Sequence, residues 1–283
     1  MYIVDKWVFD NSNEYEYKYK GIYGAKREKR QKRRKPTKEE MEKVNQQNKA
    51  TRIRRLIKAN FSEKDLWCCV KYPAGARMEP PDVKKDIQRF LRALRGEYRK
   101  RGAELKFIYR MEVGTKGGVH FHIIVNRIWS DQTDVILQKC WSRALKHSAA
   151  SERGQPIESQ GLVDFRPLYE SGSYENLAEY ITKKPREDTE EYKQLSFFNK
   201  DDQRALTSVS TSRNLVRPQP ERKEYVRRTV RRMIEEGIKP SPGYFIDKDS
   251  VYIGTNPFNG YTYIKYTEIR LKTRYGPSLE DTA

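Results

Sequence analysis

The chain is poor in the residues that build metal knuckles and disulfide scaffolds: it has three cysteines and three histidines among 283 residues. Cys68 and Cys69 are neighbours and Cys140 stands alone, so no paired zinc-knuckle spacing exists, and a reducing, cytoplasmic setting is the simplest expectation. No apolar run approaches the roughly 20 residues that span a bilayer. The first ten residues, Met1 to Asp10, carry acids and lack a signal-peptide pattern. There is no internal repeat and no Gly-x-x-x-x-Gly-Lys-Ser/Thr loop, so a fused nucleotide-driven helicase is not expected. Acidic residues are in deficit: 39 Asp+Glu face 58 Lys+Arg, a formal charge of +19, and only 36% of residues are hydrophobic. That balance points to a polyanionic partner, either nucleic acid or an anionic membrane surface.

Much of the excess charge sits early. The first 60 residues hold 18 Lys+Arg against 8 Asp+Glu, and one run holds Lys26, Arg27, Lys29, Arg30, Lys32, Arg33, Arg34 and Lys35 with a single acid. After two short Tyr-rich stretches this reads as a phosphate-binding arm. Lys116, Arg110 and Lys184 join the run as candidate DNA contacts. Thr37-Lys-Glu-Glu40 fits a capping box that opens a basic helix to about Lys58.

From Leu66 the pattern changes to that of a packed core. Leu66 to Tyr72 reads as a strand. Val83, Ile87, Phe90, Leu91, Leu94 and Tyr98 form one apolar stripe on a helix from Pro81 to Lys100, with Gly102 as its cap. Strands are expected at Leu105–Val113 and Val119–Val125, a helix after Asp131, a strand at Gly161–Arg166 and a helix from Ser173 to Lys184, before Pro185. This order predicts an α+β fold: an antiparallel sheet with a ferredoxin-like βαββαβ core covered by helices, plus one further helix. Residues 190–220 are polar and give no clear pattern. A basic helix is expected over Glu221–Glu236, then a hairpin around Asn256-Pro-Phe-Asn-Gly260. The expected organisation is an arm and helix over 1–60, a core domain over 61–218, and a helix and hairpin extension over 219–283.

The chemistry concentrates in Val119-His-Phe-His-Ile-Ile-Val125. Alternation along a strand puts His120 and His122 on one face and Val119, Phe121, Ile123 and Val125 on the other. The five-residue loop Gly114-Thr-Lys-Gly-Gly118 pairs Val113 with Val119, and therefore Glu112 with His120. A one-residue slip would put Glu112 on the wrong face. Two imidazoles and one carboxylate suit Mn²⁺ or Mg²⁺ that must also hold a phosphate, while Zn²⁺ or Fe²⁺ is compatible by ligand type. Downstream, Tyr180 lies at the edge of a packed helical face, with Lys183 and Lys184 three and four residues on.

His120-Phe-His122 followed by Tyr180-Ile-Thr-Lys183 resembles the HUH endonucleases, specifically the rolling-circle replication initiators of bacterial plasmids and phages. Glu112 stands where that family has its third metal ligand. Leu66–Tyr72 resembles its first-strand motif, although Cys68-Cys69 departs from the usual Thr-containing form. The resemblance spans about residues 37–215. It implies a nickase in the cytoplasm of a bacterial host, using a divalent metal on Glu112, His120 and His122. Tyr180 would attack single-stranded or hairpin origin DNA with help from Lys183, leaving a 5′-phosphotyrosine link and a 3′-OH for a host polymerase and helicase to use. Tyr174, about 600° around a helix from Tyr180, is not expected to be a second nucleophile. A single-strand DNA transposase of the same superfamily and a non-catalytic DNA-binding regulator are the competing expectations.

Overall fold

The structure is a computed structural model, and it describes residues 1–20, 36–151, 161–168, 174–255 and 260–271. The basic run Lys26–Lys35 lies outside the described residues. The first elements are β1 (Tyr2–Val8), β2 (Ser12–Tyr19), α1 (Lys38–Asn60), β3 (Leu66–Lys71) and α2 (Pro80–Lys100). They are followed by β4 (Phe107–Val113), β5 (Val119–Val125), α3 (Thr133–Leu145), β6 (Val163–Pro167) and α4 (Glu175–Thr182). Next come α5 (Glu190–Ser196), α6 (Lys200–Thr207) and β7 (Val209–Thr211). The last are β8 (Glu221–Tyr225), α7 (Arg227–Glu236), β9 (Tyr244–Thr255) and β10 (Thr262–Arg270). Among the described residues no helix is long and apolar enough to cross a membrane.

The chain divides into two compact units, Lys38–Arg217 on one hand and Met1–Thr37 with Pro218–Ala283 on the other. The first unit holds a sheet in the order β6-β3-β5-β4-β7, every neighbouring pair antiparallel. Its first four strands have the ferredoxin-like order expected from the βαββαβ pattern, and β7 extends the edge beside β4. The apolar stripe of α2 packs on one sheet face. Val83, Phe90, Leu94 and Tyr98 are at most 1% exposed there, with Trp141 and Leu137 of α3 beside them. Burying each such side chain contributes on the order of 1.5–3 kcal/mol. α2 starts with Pro80 and Pro81 in its first turn, where their missing N–H groups cost nothing, and it ends as Gly102 turns to φ +68°.

The opposite face is covered by α1 and α4. Ile53, Leu56 and Ile57 of α1 meet Ala178 and Ile181 of α4 over Ile108 and Ile124 of the sheet. Gln46 fastens the two helices by donating from Nε2 to the Thr182 carbonyl at 2.8 Å. The helix after Pro36 therefore belongs with the core unit and not with an N-terminal arm. Only its second half, from Ile53 on, carries a buried apolar face.

The second unit corrects the expectation of an arm and a separate C-terminal extension. β1 and β2 lie inside a five-stranded antiparallel sheet in the order β8-β1-β2-β10-β9. Tyr2, Val4, Tyr17, Ile264 and Tyr266 form its core with Val230 of α7. Buried Glu268 ties it together, accepting from the Tyr15 hydroxyl at 3.0 Å and the Ser241 amide at 2.9 Å. The basic helix expected over Glu221–Glu236 is a strand followed by a shorter helix, because Tyr2–Lys6 of β1 pairs with Glu221–Tyr225. The expected C-terminal hairpin is present as β9 and β10, while Asn256–Asn259 at its tip lies outside the described residues. Residues 190–207, which gave no pattern, form α5 and α6, each capped by a side chain: Thr189 accepts from Tyr192 and Asn199 from Asp202.

Candidate active site

The hairpin β4–β5 sets the geometry. Val113 pairs with Val119 and Glu112 with His120, the register expected from the loop length. The turn closes as the Gly114 amide donates to Gly118 and the Gly117 amide to Gly114, both at 2.8 Å. Gly117 takes φ +75°, and a Cβ there would come within 2.8 Å of Gln194 Oε1, so this position requires glycine on two counts. Val119, Phe121, Ile123 and Val125 are buried in the core under α2 and α3. His120 and His122 stand on the other face.

There the three expected ligand groups meet. Glu112 Oε2 lies 2.9 Å from His122 Nε2 and 3.5 Å from His120 Nε2. Tyr180, in the last turn of α4, points its hydroxyl into the same spot: it donates to Glu112 Oε2 at 3.1 Å and lies 3.0 Å from His122 Nε2. Burial alone would raise the Glu112 carboxyl, but hydrogen bonds from His120 and His122 outweigh it and hold the group well below the usual carboxylate range. The Tyr180 hydroxyl moves the other way. Burial, then the negative charge of Glu112, push it well above its ordinary value of 10.0, and the Arg110 guanidinium opposes them. The resting site is thus an ionised carboxylate accepting from a neutral phenol.

Trp67 of β3 fixes the His122 ring, lying parallel to it with 5.2 Å between centroids and 10° between planes. The Tyr180 ring stands edge-on to both. His122 Nδ1 is buried without a partner among the described residues, so Nε2 is the nitrogen turned to Glu112 and Tyr180. Two imidazole nitrogens and a carboxylate oxygen aimed at one point fit a divalent cation. Glu112, His120 and His122 are the residues that would hold it. A second grouping shares the histidines: the Cys69 sulfur and a ring nitrogen of each histidine all lie within 4.8 Å of one another. Burial raises the Cys69 thiol to about 11, so at neutral pH the ready anionic donor is Glu112.

The cations are arranged differently from the expectation. Arg110, expected among the DNA contacts, is 4% exposed, and its guanidinium donates to the Tyr180 carbonyl at 3.0 Å and the Ile181 carbonyl at 3.4 Å. It holds the C-terminal end of α4, where carbonyls lack helical partners and the helix dipole favours positive charge. Lys183 follows the last helical residue as an exposed cap with ψ 133°, and its amide closes on Glu179. The helix therefore stops two residues before the expected Lys184, and Lys183 is not stacked one turn above Tyr180. Lys184 and Lys116 are exposed. Lys49 of α1 stands near Arg110 and Lys184; burial first, then the charges of those two, lowers its ammonium. Tyr174 is buried, as expected of a residue that is not a nucleophile, and takes the left-handed φ of 61° at the start of α4.

Trp67, Cys69 and Lys49 escaped the motif reading. Trp67 and Cys69 alternate with buried Leu66, Cys68 and Val70, and the ferredoxin-like order makes β3 the neighbour of β5. Those two facts together put them on the histidine face, with Cys69 opposite His122.

No curated protein and no solved structure matches the chain. A family model does, that of Replication-associated protein ORF2, over residues 65–185. The match begins just before β3 and ends just after α4, enclosing Glu112, His120, His122, Tyr180 and Lys183. The segment that carries the whole candidate site thus belongs to the replication-associated protein ORF2 family, a family of rolling-circle replication initiators.

Proposed function

We propose that this protein starts rolling-circle replication by nicking and rejoining single-stranded origin DNA through Tyr180. The observation that carries the reading is the position of the Tyr180 hydroxyl, 3.1 Å from Glu112 and 3.0 Å from His122. A phenol at the exposed end of a docked helix, 43% open to solvent, is placed to meet a phosphodiester. A divalent cation on Glu112, His120 and His122, Mn²⁺ or Mg²⁺ by donor type, would supply charge stabilisation at the non-bridging phosphate oxygens.

The chain's own residues account for the rest. Tyr180 oxygen attacks phosphorus, and its proton passes to one of the two acceptors already in contact, Glu112 or His122. The phosphorus–O3′ bond breaks and the released oxygen takes up a proton as a 3′-OH. The 5′ side remains on Tyr180 as a phosphotyrosine ester. One phosphate ester replaces another, so no nucleotide is consumed and the reverse attack by a 3′-OH rejoins the strand. Arg110 fixes the helix end that carries Tyr180, which keeps the attacking oxygen in line. Lys49, Lys184 and Lys116 surround the site with positive charge suited to the DNA backbone. The free 3′-OH would prime a host polymerase, with a host helicase opening the duplex.

The test is incubation of the protein with single-stranded origin-region DNA and Mn²⁺, a denaturing gel for the covalent adduct, and peptide mapping of the DNA-bearing residue. An adduct on Tyr180 is expected. Replication from a matching plasmid origin separates an initiator from a single-strand transposase. DNA binding without any adduct under every metal would leave a non-catalytic regulator.

A further inference from the structure

Cys69 adds a soft donor to a site whose other donors are nitrogen and oxygen. On β3 the side chains of Leu66, Cys68 and Val70 enter the core, while Trp67, Cys69 and Lys71 share the face of the histidines. Cys69 pairs directly with His122, is partly open to solvent, and is a free thiol. Its sulfur and one nitrogen from each of His120 and His122 lie within 4.8 Å of one another. Glu112 approaches the same two rings from β4 at 2.9 and 3.5 Å. Three adjacent strands therefore bring one sulfur, two nitrogens and one carboxylate oxygen together. In a tetrahedral zinc centre, with Zn–S near 2.3 Å and Zn–N near 2.0–2.1 Å, sulfur and nitrogen stand about 3.5 Å apart. Side-chain rotation of about 1 Å closes the difference.

Ion type decides which donors are used. Mn²⁺ and Mg²⁺ prefer oxygen and nitrogen and keep open positions for phosphate or water, whereas Zn²⁺ favours thiolate and is satisfied by four protein ligands. Resting on the metal site of the proposed function, we propose that Zn²⁺ is held by Cys69, Glu112, His120 and His122 as a closed four-ligand centre that excludes the DNA phosphate and switches nicking off. The thiol proton leaves to solvent as the sulfur coordinates. Trp67 stacked on His122 favours this arrangement by keeping that ring turned to the shared point.

Co²⁺ is the probe, because a thiolate ligand gives a near-ultraviolet charge-transfer band that nitrogen and oxygen ligands do not. The full chain titrated with Co²⁺ should show this band, and Zn²⁺ should remove it by displacement. Cys69→Ser should lose the band. Cys68 and Cys140 are fully buried in the core of the opposite face and supply no substitute. Zn²⁺ should suppress Mn²⁺-supported adduct formation by the unmodified chain. In Cys69→Ser the Zn²⁺ concentration for half suppression, measured against that variant's own Mn²⁺ activity, should rise about tenfold or more. A wild-type Co²⁺ complex without the band, a band that persists in Cys69→Ser, or equal zinc sensitivity of the two proteins overturns the proposal. Undiminished Co²⁺ binding in His120→Ala and His122→Ala would instead overturn the metal site itself. Histidine-dependent Mn²⁺ cleavage without a thiolate band leaves that site standing and removes only the zinc centre.

Discussion

The Tyr180 hydroxyl and the Glu112 carboxylate are hydrogen-bonded at 3.1 Å, across 68 residues of sequence. This bond joins the helix that follows β6 to the β4–β5 hairpin, and it puts the candidate nucleophile against the candidate metal ligands. Tyr180→Phe keeps the ring on Trp67 and His122 but removes the oxygen. The covalent DNA adduct should vanish. Stability should fall by only about 0.5–1.5 kcal/mol, the scale of a single hydrogen bond, as read from a denaturant melt. An adduct that survives in this variant, or one mapped to Tyr174, would remove Tyr180 from the mechanism.

The ligand trio predicts a separation of cutting from binding. Glu112→Ala, His120→Ala and His122→Ala should each lower adduct formation by on the order of 10²–10³, while DNA affinity at fixed salt changes little, since backbone charge supplies most of it. Chelation should mimic the substitutions and added Mn²⁺ should reverse it in the unmodified chain only. Full cleavage by a double histidine variant in chelator would sink the metal reading.

Trp67 contributes through the orientation of His122. Removing a stacked ring pair costs about 0.5–1.5 kcal/mol, so Trp67→Ala should raise the Mn²⁺ concentration for half-maximal nicking roughly two- to tenfold. Trp67→Phe should recover part of the loss. A rate change at saturating Mn²⁺ with no shift in the metal titration would show that Trp67 acts on the DNA and not on the imidazole.

The basic run has to be tested by neutralising it, not by cutting it away. Deleting residues 1–36 would remove β1 and β2 from a five-stranded sheet, so the unit would unfold whatever the run does. Replacing the eight basic residues from Lys26 to Lys35 with neutral polar ones should weaken binding across DNA sequences alike. It should lower the log-log salt slope by roughly 0.7–0.9 for each phosphate that is no longer neutralised. An unchanged slope would assign the run to another partner.

The core unit was legible because its signals are local. One apolar stripe names α2, strict alternation names β4 and β5, and a five-residue loop fixes the register that brings Glu112 to His120. The second unit was not, because its pairings join the two ends of the chain: Tyr15 meets Tyr266 and Asn13 reaches Glu268 across about 250 residues. Glu221-Arg-Lys-Glu-Tyr225 is made largely of helix formers, and only the presence of β1 beside it makes it a strand. Within the site, Arg110 read as a surface cation because charge is visible in a sequence and burial is not. What buries it is α4, which closes over β4 from 70 residues downstream.

Arg110 yields the most discriminating prediction. Its guanidinium bonds the carbonyls of Tyr180 and Ile181, while burial lowers its own pKa and Glu112 partly restores it. Removing it frees the end of α4 without touching the phenol or any metal ligand. Arg110→Met keeps much of the buried volume and abolishes both hydrogen bonds. The rate of adduct formation at saturating DNA should fall on the order of 10²-fold, the scale of a misplaced reacting group. DNA affinity and Mn²⁺ affinity should change little. Arg110→Lys can still reach one carbonyl as a point charge but lacks the planar fork, so it should recover part of the rate. If Arg110 were instead a direct phosphate contact, the same two variants would weaken DNA binding and flatten its salt dependence, while the rate at saturation stayed near normal. A stopped-flow measurement that separates DNA binding from adduct formation distinguishes the two outcomes.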